Sequence, residues 1–225
     1  MKPPRRTRRV ALILSGCGVY DGTEVQEAVA ALLALERLGA EVVCAAPNVA
    51  APVVINHLTG QPMIGDERNV LVESARIARG DVRDLAKVLT EGLDGAVFPG
   101  GYGATRVLSD QVGRGAGARV LPVVEGFVRE LHGAGKPMGF LCLAPVVAAR
   151  VLGAKHPKLG MGAEPAVIAD MVAMGAEVTT LGPRDIAVDR EHKLVCAAAF
   201  TAARRISEGY EGIERLARAM VELMG

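Results

Sequence analysis

The stretch Lys136-Pro137-Met138-Gly139-Phe140-Leu141-Cys142-Leu143-Ala144-Pro145 runs as an apolar strand into a cysteine and then into a helix opened by small residues. It reads as one strand-to-helix corner of an α/β sheet. Cys142 ends the strand at the carboxyl edge, where such folds bind ligands. The free N–H groups at the start of the next helix face the sulfur, and their field favours thiolate over thiol. The same residues fit a buried thiol that closes a core strand, because cysteine is among the most buried residue types. The segment by itself leaves both readings open.

Outward from Cys142 the chain keeps the same alternation. Val10 to Leu14 is an apolar run that stops at Ser15-Gly16-Cys17-Gly18, a buried strand followed by a glycine turn. From Thr23 to Leu38 the residues Val25, Ala28, Val29, Leu32 and Leu35 recur at helical spacing, with Thr23 as N-cap and Gly39 as stop. Glu41 to Ala46 is the next strand and completes a βαβ unit with a right-handed crossover. Residues 48–66 are rich in turn formers and read as a loop or a small β excursion. A helix capped by Asn69 and a short helix from Asp81 to Thr90 follow. A helix over Leu121 to His132 separates strands at Gly95 to Phe98 and Pro137 to Leu141. Beyond Cys142 the pattern gives helices over 143–152, 164–174 and 202–224, and short strands over 177–180, 186–188 and 194–197. The last two strands flank a hairpin turn at Asp189-Arg190-Glu191-His192. The fold class is α/β, one doubly wound domain on a mostly parallel sheet.

Composition agrees with that frame. The 225 residues suit a single domain over 10–225, preceded by a basic stretch, residues 1–9, that reads as a disordered tail. Aromatic residues are only 3%, so the core is built from Ala, Val, Leu and Ile, as parallel sheets require. A formal charge of +1 gives no pull toward nucleic acid or a membrane surface, and neither is expected as a partner. Cys17, Cys44, Cys142 and Cys196 lie far apart and lack the spacing of a zinc site, so they read as free thiols and no metal is expected. Free thiols imply a reducing compartment. Without an apolar signal core or a long apolar run, the sequence predicts a cytoplasmic protein.

Three glycine turns follow strands: Ser15 to Gly22, Pro99-Gly100-Gly101-Tyr102-Gly103, and the Cys142 corner. In a parallel sheet they share one edge and can converge. The first turn misses the dinucleotide fingerprint G-x-G-x-x-G, because Asp21 holds the third glycine's place, so no nucleotide cofactor is expected. Gly100 and Gly101 suit close approach of backbone N–H groups to a ligand oxygen, and a tight turn explains them equally well. Glu24 and Glu27 open the first helix; Glu24 reads as exposed, whereas Glu27 falls beside Ala28 and is partly buried. If burial keeps Glu27 protonated, its O–H can donate to the Cys142 sulfur and favour the thiolate.

The motifs Leu14 to Gly22, Val54-Ile55-Asn56-His57-Leu58-Thr59-Gly60, Phe98 to Ala104 and Gly139 to Pro145, in that order, resemble the enhancing-lycopene-biosynthesis branch of the DJ-1/PfpI superfamily, within the class I glutamine amidotransferase-like fold. The resemblance covers nearly the whole chain after the basic stretch. It implies a flavodoxin-like three-layer α/β/α sandwich, a homodimer, a nucleophile-elbow cysteine at Cys142 and a helix glutamate at Glu27, with Glu24 as a second acid. It also implies main-chain groups at Gly100, Gly101 and Leu143 around a developing oxyanion, with Cys17 and His57 as accessory candidates.

Two departures narrow the chemistry. Leu143 stands where protease-like members place a histidine, and the late His-x-Glu pair of glutaminase domains is replaced by Glu191-His192 in a turn. His132 and His156 fall at a helix end and in a loop. Peptidase and glutaminase reactions therefore lack a proton carrier. A reaction needing only a thiol and an acid survives: cofactor-free glyoxalase conversion of glyoxal or methylglyoxal to a 2-hydroxy acid, which the resemblance links to isoprenoid biosynthesis. The competing expectation is a non-enzymatic thiol sensor or regulatory binding protein, in which Cys17 approaches Cys142.

Overall fold

The computed structural model describes residues 6–225. Its main sheet is built from β1 (Arg9–Ile13), β2 (Glu41–Ala46), β5 (Arg83–Asp84), β6 (Gly95–Phe98), β7 (Met138–Leu141), β10 (Ile186–Asp189) and β11 (Leu194–Ala197). The order across the sheet is β10-β11-β7-β6-β1-β2-β5, and every neighbouring pair is parallel except the hairpin β10-β11. Two satellites stand apart: β3 (Ile55–Asn56) with β4 (Gln61–Pro62), and β8 (Lys158–Met161) with β9 (Glu177–Thr180). Right-handed crossovers place α1 (Val25–Arg37) and α2 (Val70–Ile77) on one face, joined there by α8 (Ile206–Leu223). The other face carries α5 (Pro122–Gly133) and α6 (Pro145–Leu152), with α7 (Pro165–Ala173) beyond; α3 (Gly103–Arg106) and α4 (Gln111–Arg114) are short segments above the sheet edge. This is the flavodoxin-like three-layer α/β/α sandwich.

The centre of the sheet is dry. All residues of β6, β7 and β11 are buried, the continuous apolar run of strands covered on both faces. Phe98 stacks on Phe140 at 4.8 Å and meets Phe127 edge-on at 6.4 Å, so three of the four phenylalanines fill one spot. Gly139 lets α8 sit directly on β7, since a Cβ there would lie 2.5 Å from the Met220 sulfur.

Several local expectations are corrected. The N-cap of α1 is Glu24, whose carboxylate accepts from the Glu27 N–H at 2.6 Å; Thr23 is buried and its hydroxyl accepts from the Ser15 N–H instead. Residues 81–90 form no α-helix, because β5 takes Arg83–Asp84 and single 3-10 turns follow. The strand β8 was not expected from the sequence; Gly160 and a Pro157 neighbour mask its period. At the amino end, β1 begins at Arg9, and the side chains of Arg6 and Arg9 pair with Asp94 and Glu41 while Arg8 donates to the Gly225 carbonyl. Of the stretch expected as a disordered tail, residues 6–9 are described and make these contacts, and its remainder lies outside the described residues. No described helix is long and apolar enough to cross a membrane.

Candidate active site

Four strand ends meet at the carboxyl edge of the sheet. Cys142, at the end of β7, has φ +56°, a left-handed conformation that costs a non-glycine residue roughly 1–2 kcal/mol. The sharp turn is held from both sides: the Cys142 N–H donates to the Ala197 carbonyl of β11 at 3.0 Å, and Pro145 starts α6 where its missing N–H is harmless. The result is a sharp strand-to-helix turn with Cys142 at the carboxyl edge of the sheet.

Glu27 is completely buried in the first turn of α1. Its carboxyl accepts from the Gly100 N–H at 2.7 Å and the Phe200 N–H at 3.3 Å, and it neighbours the Cys142 thiol. Burial, reinforced by the neighbouring Glu24, pushes its pKa up to about 8 against the pull of the two N–H donors. That shift runs in the direction of the protonated acid expected from the sequence. The expected thiolate is disfavoured: burial, then the Glu27 carboxyl, pushes Cys142 well up, and the N–H groups of Gly101 and Leu143 that donate to its sulfur offset only part of this. Both shifts favour the protonated forms, a thiol beside a neutral acid.

The glycines of the 99–103 turn have separate duties. A Cβ on Gly100 would stand 2.4 Å from the Cys142 Cβ and 2.8 Å from Glu27 Oε2, so only glycine lets the turn close on the pair. Its N–H is committed to Glu27, which corrects its expected oxyanion role: Gly100 fixes the acid, while Gly101 and Leu143 face the sulfur. Gly101, at φ +88°, packs against the Gly22 carbonyl and the Glu24 N–H.

Above the thiol is a cleft of about 350 Å³ lined by Glu24, Tyr102, Gln111, Leu143, Phe200 and Thr201 among others. Glu24 is half-buried there, with its pKa raised by burial, rather than exposed as expected. The sequence reading missed the 198–201 turn, which supplies the Phe200 N–H through Ala199 at φ +45°. The available signal was topological: β11 runs parallel to β7, so its end must reach the same edge.

Cys17 and His57 are not brought to this cleft. Cys17 lines a separate small pocket with Arg68 and Glu73, and burial raises its pKa. His57 Nε2 accepts from the Tyr20 N–H at 3.2 Å and its Nδ1 faces the Ile55 carbonyl at 3.0 Å, so both ring nitrogens are occupied. The imidazole buttresses the Gly16–Gly22 turn, where Gly18 makes room for it. His132 stacks on His192, which pairs with Asp189 at 2.9 Å, by the amino ends of β7 and β11. Cys44 and Cys196 are core thiols. Among the described residues no cluster of three or more His, Cys, Asp or Glu side chains could hold a metal ion.

No family model matches the chain. It is 44% identical to the human glutamine amidotransferase-like class 1 domain-containing protein 3, mitochondrial, over 99% of its own length and 85% of that protein. It is 42% identical to the Rattus norvegicus ES1 protein homolog, mitochondrial, over 99% and 86%. Among solved structures it resembles an isoprenoid biosynthesis protein with amidotransferase-like domain from Ehrlichia chaffeensis, with TM-score 0.87 and 32% identity over 95% of this chain and 99% of that one. Drosophila melanogaster DJ-1beta, at TM-score 0.57 and 20% identity over 97% and 96%, shares the fold. The mitochondrial names of the relatives overturn the cytoplasmic expectation. Free thiols report redox poise and do not tell one reducing compartment from another. Identity above 40% along nearly the whole chain places the protein in the family of ES1 and class 1 glutamine amidotransferase-like domain-containing 3 proteins, on the DJ-1/PfpI fold.

Proposed function

We propose that the protein is a cofactor-independent, glyoxalase III-like enzyme that adds the Cys142 thiol to the aldehyde of a 2-oxoaldehyde such as glyoxal or methylglyoxal. The observation that carries this reading is the buried Glu27 carboxyl beside Cys142, its pKa pushed to about 8, in a cleft with no histidine among its described lining residues. In the reacting form the pair has lost one proton. Sulfur bonds to the aldehyde carbon, Glu27 gives its proton to the carbonyl oxygen, and a hemithioacetal forms. The Glu27 carboxylate then takes the proton from that carbon and returns it to the neighbouring carbonyl carbon, while the hemithioacetal hydroxyl proton passes to the neighbouring oxygen, leaving a 2-hydroxy thioester. Water cleaves the thioester to a 2-hydroxy acid and regenerates the thiol. The N–H groups of Gly101 and Leu143, which face the sulfur, serve the developing oxyanion in this proposal. A role in isoprenoid metabolism, the subject of the Ehrlichia chaffeensis protein's name, is part of the same proposal.

The sensor reading is less well supported. Cys17, its expected disulfide partner, lines a different pocket from Cys142. Purified protein is expected to convert glyoxal to glycolate, with Cys142→Ala and Glu27→Gln both inactive. Equal rates for wild type and Cys142→Ala refute the enzyme reading, and a Cys17–Cys142 disulfide formed under peroxide favours the sensor.

A further inference from the structure

The cysteine cleft shares two lining residues with a second cavity. Thr105 and Val112 line both the cleft and this wider cavity of about 680 Å³, whose other side is formed by Pro52 and Val53. Arg106 faces this second cavity. Its guanidinium lies over the ring of Tyr102, 5.0 Å from the centroid, and Tyr102 belongs to the wall of the cysteine cleft. Its Nε is the one buried side-chain nitrogen or oxygen without a hydrogen-bond partner among the described residues. A buried donor left open is costly, and such groups are rare in native proteins. The obvious local acid is already used: the Asp110 carboxylate accepts from Arg114 Nε at 2.7 Å and from the Arg119 N–H at 2.6 Å. Glu24 and Glu164 line the cleft over the thiol, whereas the second cavity carries Arg106 and Arg114 against one acid, Asp110, so the balance of charge favours an anion on the Arg106 side of Thr105.

We propose that Arg106 is an oxyanion anchor for an extended substrate, a carbonyl compound with a phosphate or carboxylate tail, whose tail sits on the guanidinium fork while its carbonyl reaches Cys142 across Thr105. A fork stacked on an aromatic ring is fixed in one plane, the arrangement suited to bidentate contact with such a group. Tyr102 then connects the two halves of the site, one wall for the reacting carbonyl and one platform for the anchor. The inference names a substrate class for the carbonyl chemistry proposed above and rests on that reading for the reaction, but the anchor is tested by binding alone.

The test is protection of Cys142 from iodoacetamide, followed by mass spectrometry, with Cys17 as internal reference. Glycerol 3-phosphate, glycerate and glycerol are compared at equal concentration and constant ionic strength. With wild type, one or both anions are expected to slow Cys142 alkylation while glycerol does not, and the stronger anion identifies the tail. In Arg106→Gln that anion's half-protecting concentration is expected to rise about tenfold, the size of one lost charge-assisted contact, with partial recovery in Arg106→Lys. Equal effects of glycerol and the anions, or unchanged anion protection in a folded Arg106→Gln, overturn the proposal. The wild-type comparison decides even if the variant does not fold. Protection by anions without turnover of any 2-oxoaldehyde would leave the anchor standing and remove the reaction.

Discussion

Glu27→Gln should make the protein's stability less sensitive to pH, and the sign follows from linkage. The carboxyl has a folded pKa of about 8 against an ordinary value of 4.5. A raised folded pKa means that the native state binds the proton more tightly. The stabilisation is fully present below the unfolded value and is lost as pH rises, until the folded group also ionises near pH 8. At about 1.4 kcal/mol per pH unit, the loss reaches roughly 3 kcal/mol at pH 7 and about 5 kcal/mol over the whole window, as order-of-magnitude figures. Glutamine reproduces the neutral acid: its oxygen can accept from the Gly100 N–H and its amide can donate to the sulfur. It cannot ionise. Urea unfolding of both proteins, followed by circular dichroism because the chain has no tryptophan, should give curves that converge at acid pH. Between pH 5 and 8 the variant should gain progressively on wild type. Parallel curves, or a wild type that gains on the variant as pH rises, would refute a buried neutral Glu27.

The remaining expectations concern other parts of the same geometry. Alkylation of Cys142 should be slow at neutral pH and rise with pH, and above pH 8 it should be faster in Glu27→Gln, because the ionised acid raises the thiol's pKa. Gly100→Ala should cost about 1–3 kcal/mol in a thermal or urea melt and at least about a hundredfold in turnover, since the new Cβ has no room beside Cys142 and Glu27. Asp189→Ala leaves the Lys158 and His192 N–H groups without their acceptor and should cost about 1–2 kcal/mol with turnover unchanged, because the pair lies at the opposite edge of the sheet. The Asp189 carboxyl is held below the usual range: burial alone would raise it, but those two N–H donors and the His192 ring outweigh burial. Its contribution is therefore present above the usual aspartate pKa and lost as pH falls through the lowered one. A stability profile in which Asp189→Ala loses most at low pH would contradict it.

Much of the architecture is written locally. Apolar runs that stop at glycine turns, alternating with helical periodicity, specify a parallel sheet, and a parallel sheet puts Ser15–Gly22, Pro99–Gly103 and Cys142 on one edge without further information. Thr23 and residues 81–90 misled because capping and helix propensity are weak preferences that tertiary contacts override: Thr23 is drawn inward to the Ser15 N–H, and Arg83–Asp84 pair with β2. His57 belonged to a motif, but its motif serves the shape of a turn.

The sequence by itself therefore determined the α/β order, the convergence of the glycine turns and the candidacy of Cys142 and Glu27, because each depends on neighbours within a few residues. Tertiary structure decided how those two groups are charged. The N–H donors that hold Glu27 come from Gly100 and Phe200, 73 and 173 residues away, and the burial that favours the protonated acid and thiol is a property of the closed edge rather than of any segment. It also decided that the Asp110 carboxylate is used by Arg114 and Arg119, leaving Arg106 open, since the pairing of charges depends on which side chains the folded surface brings within reach.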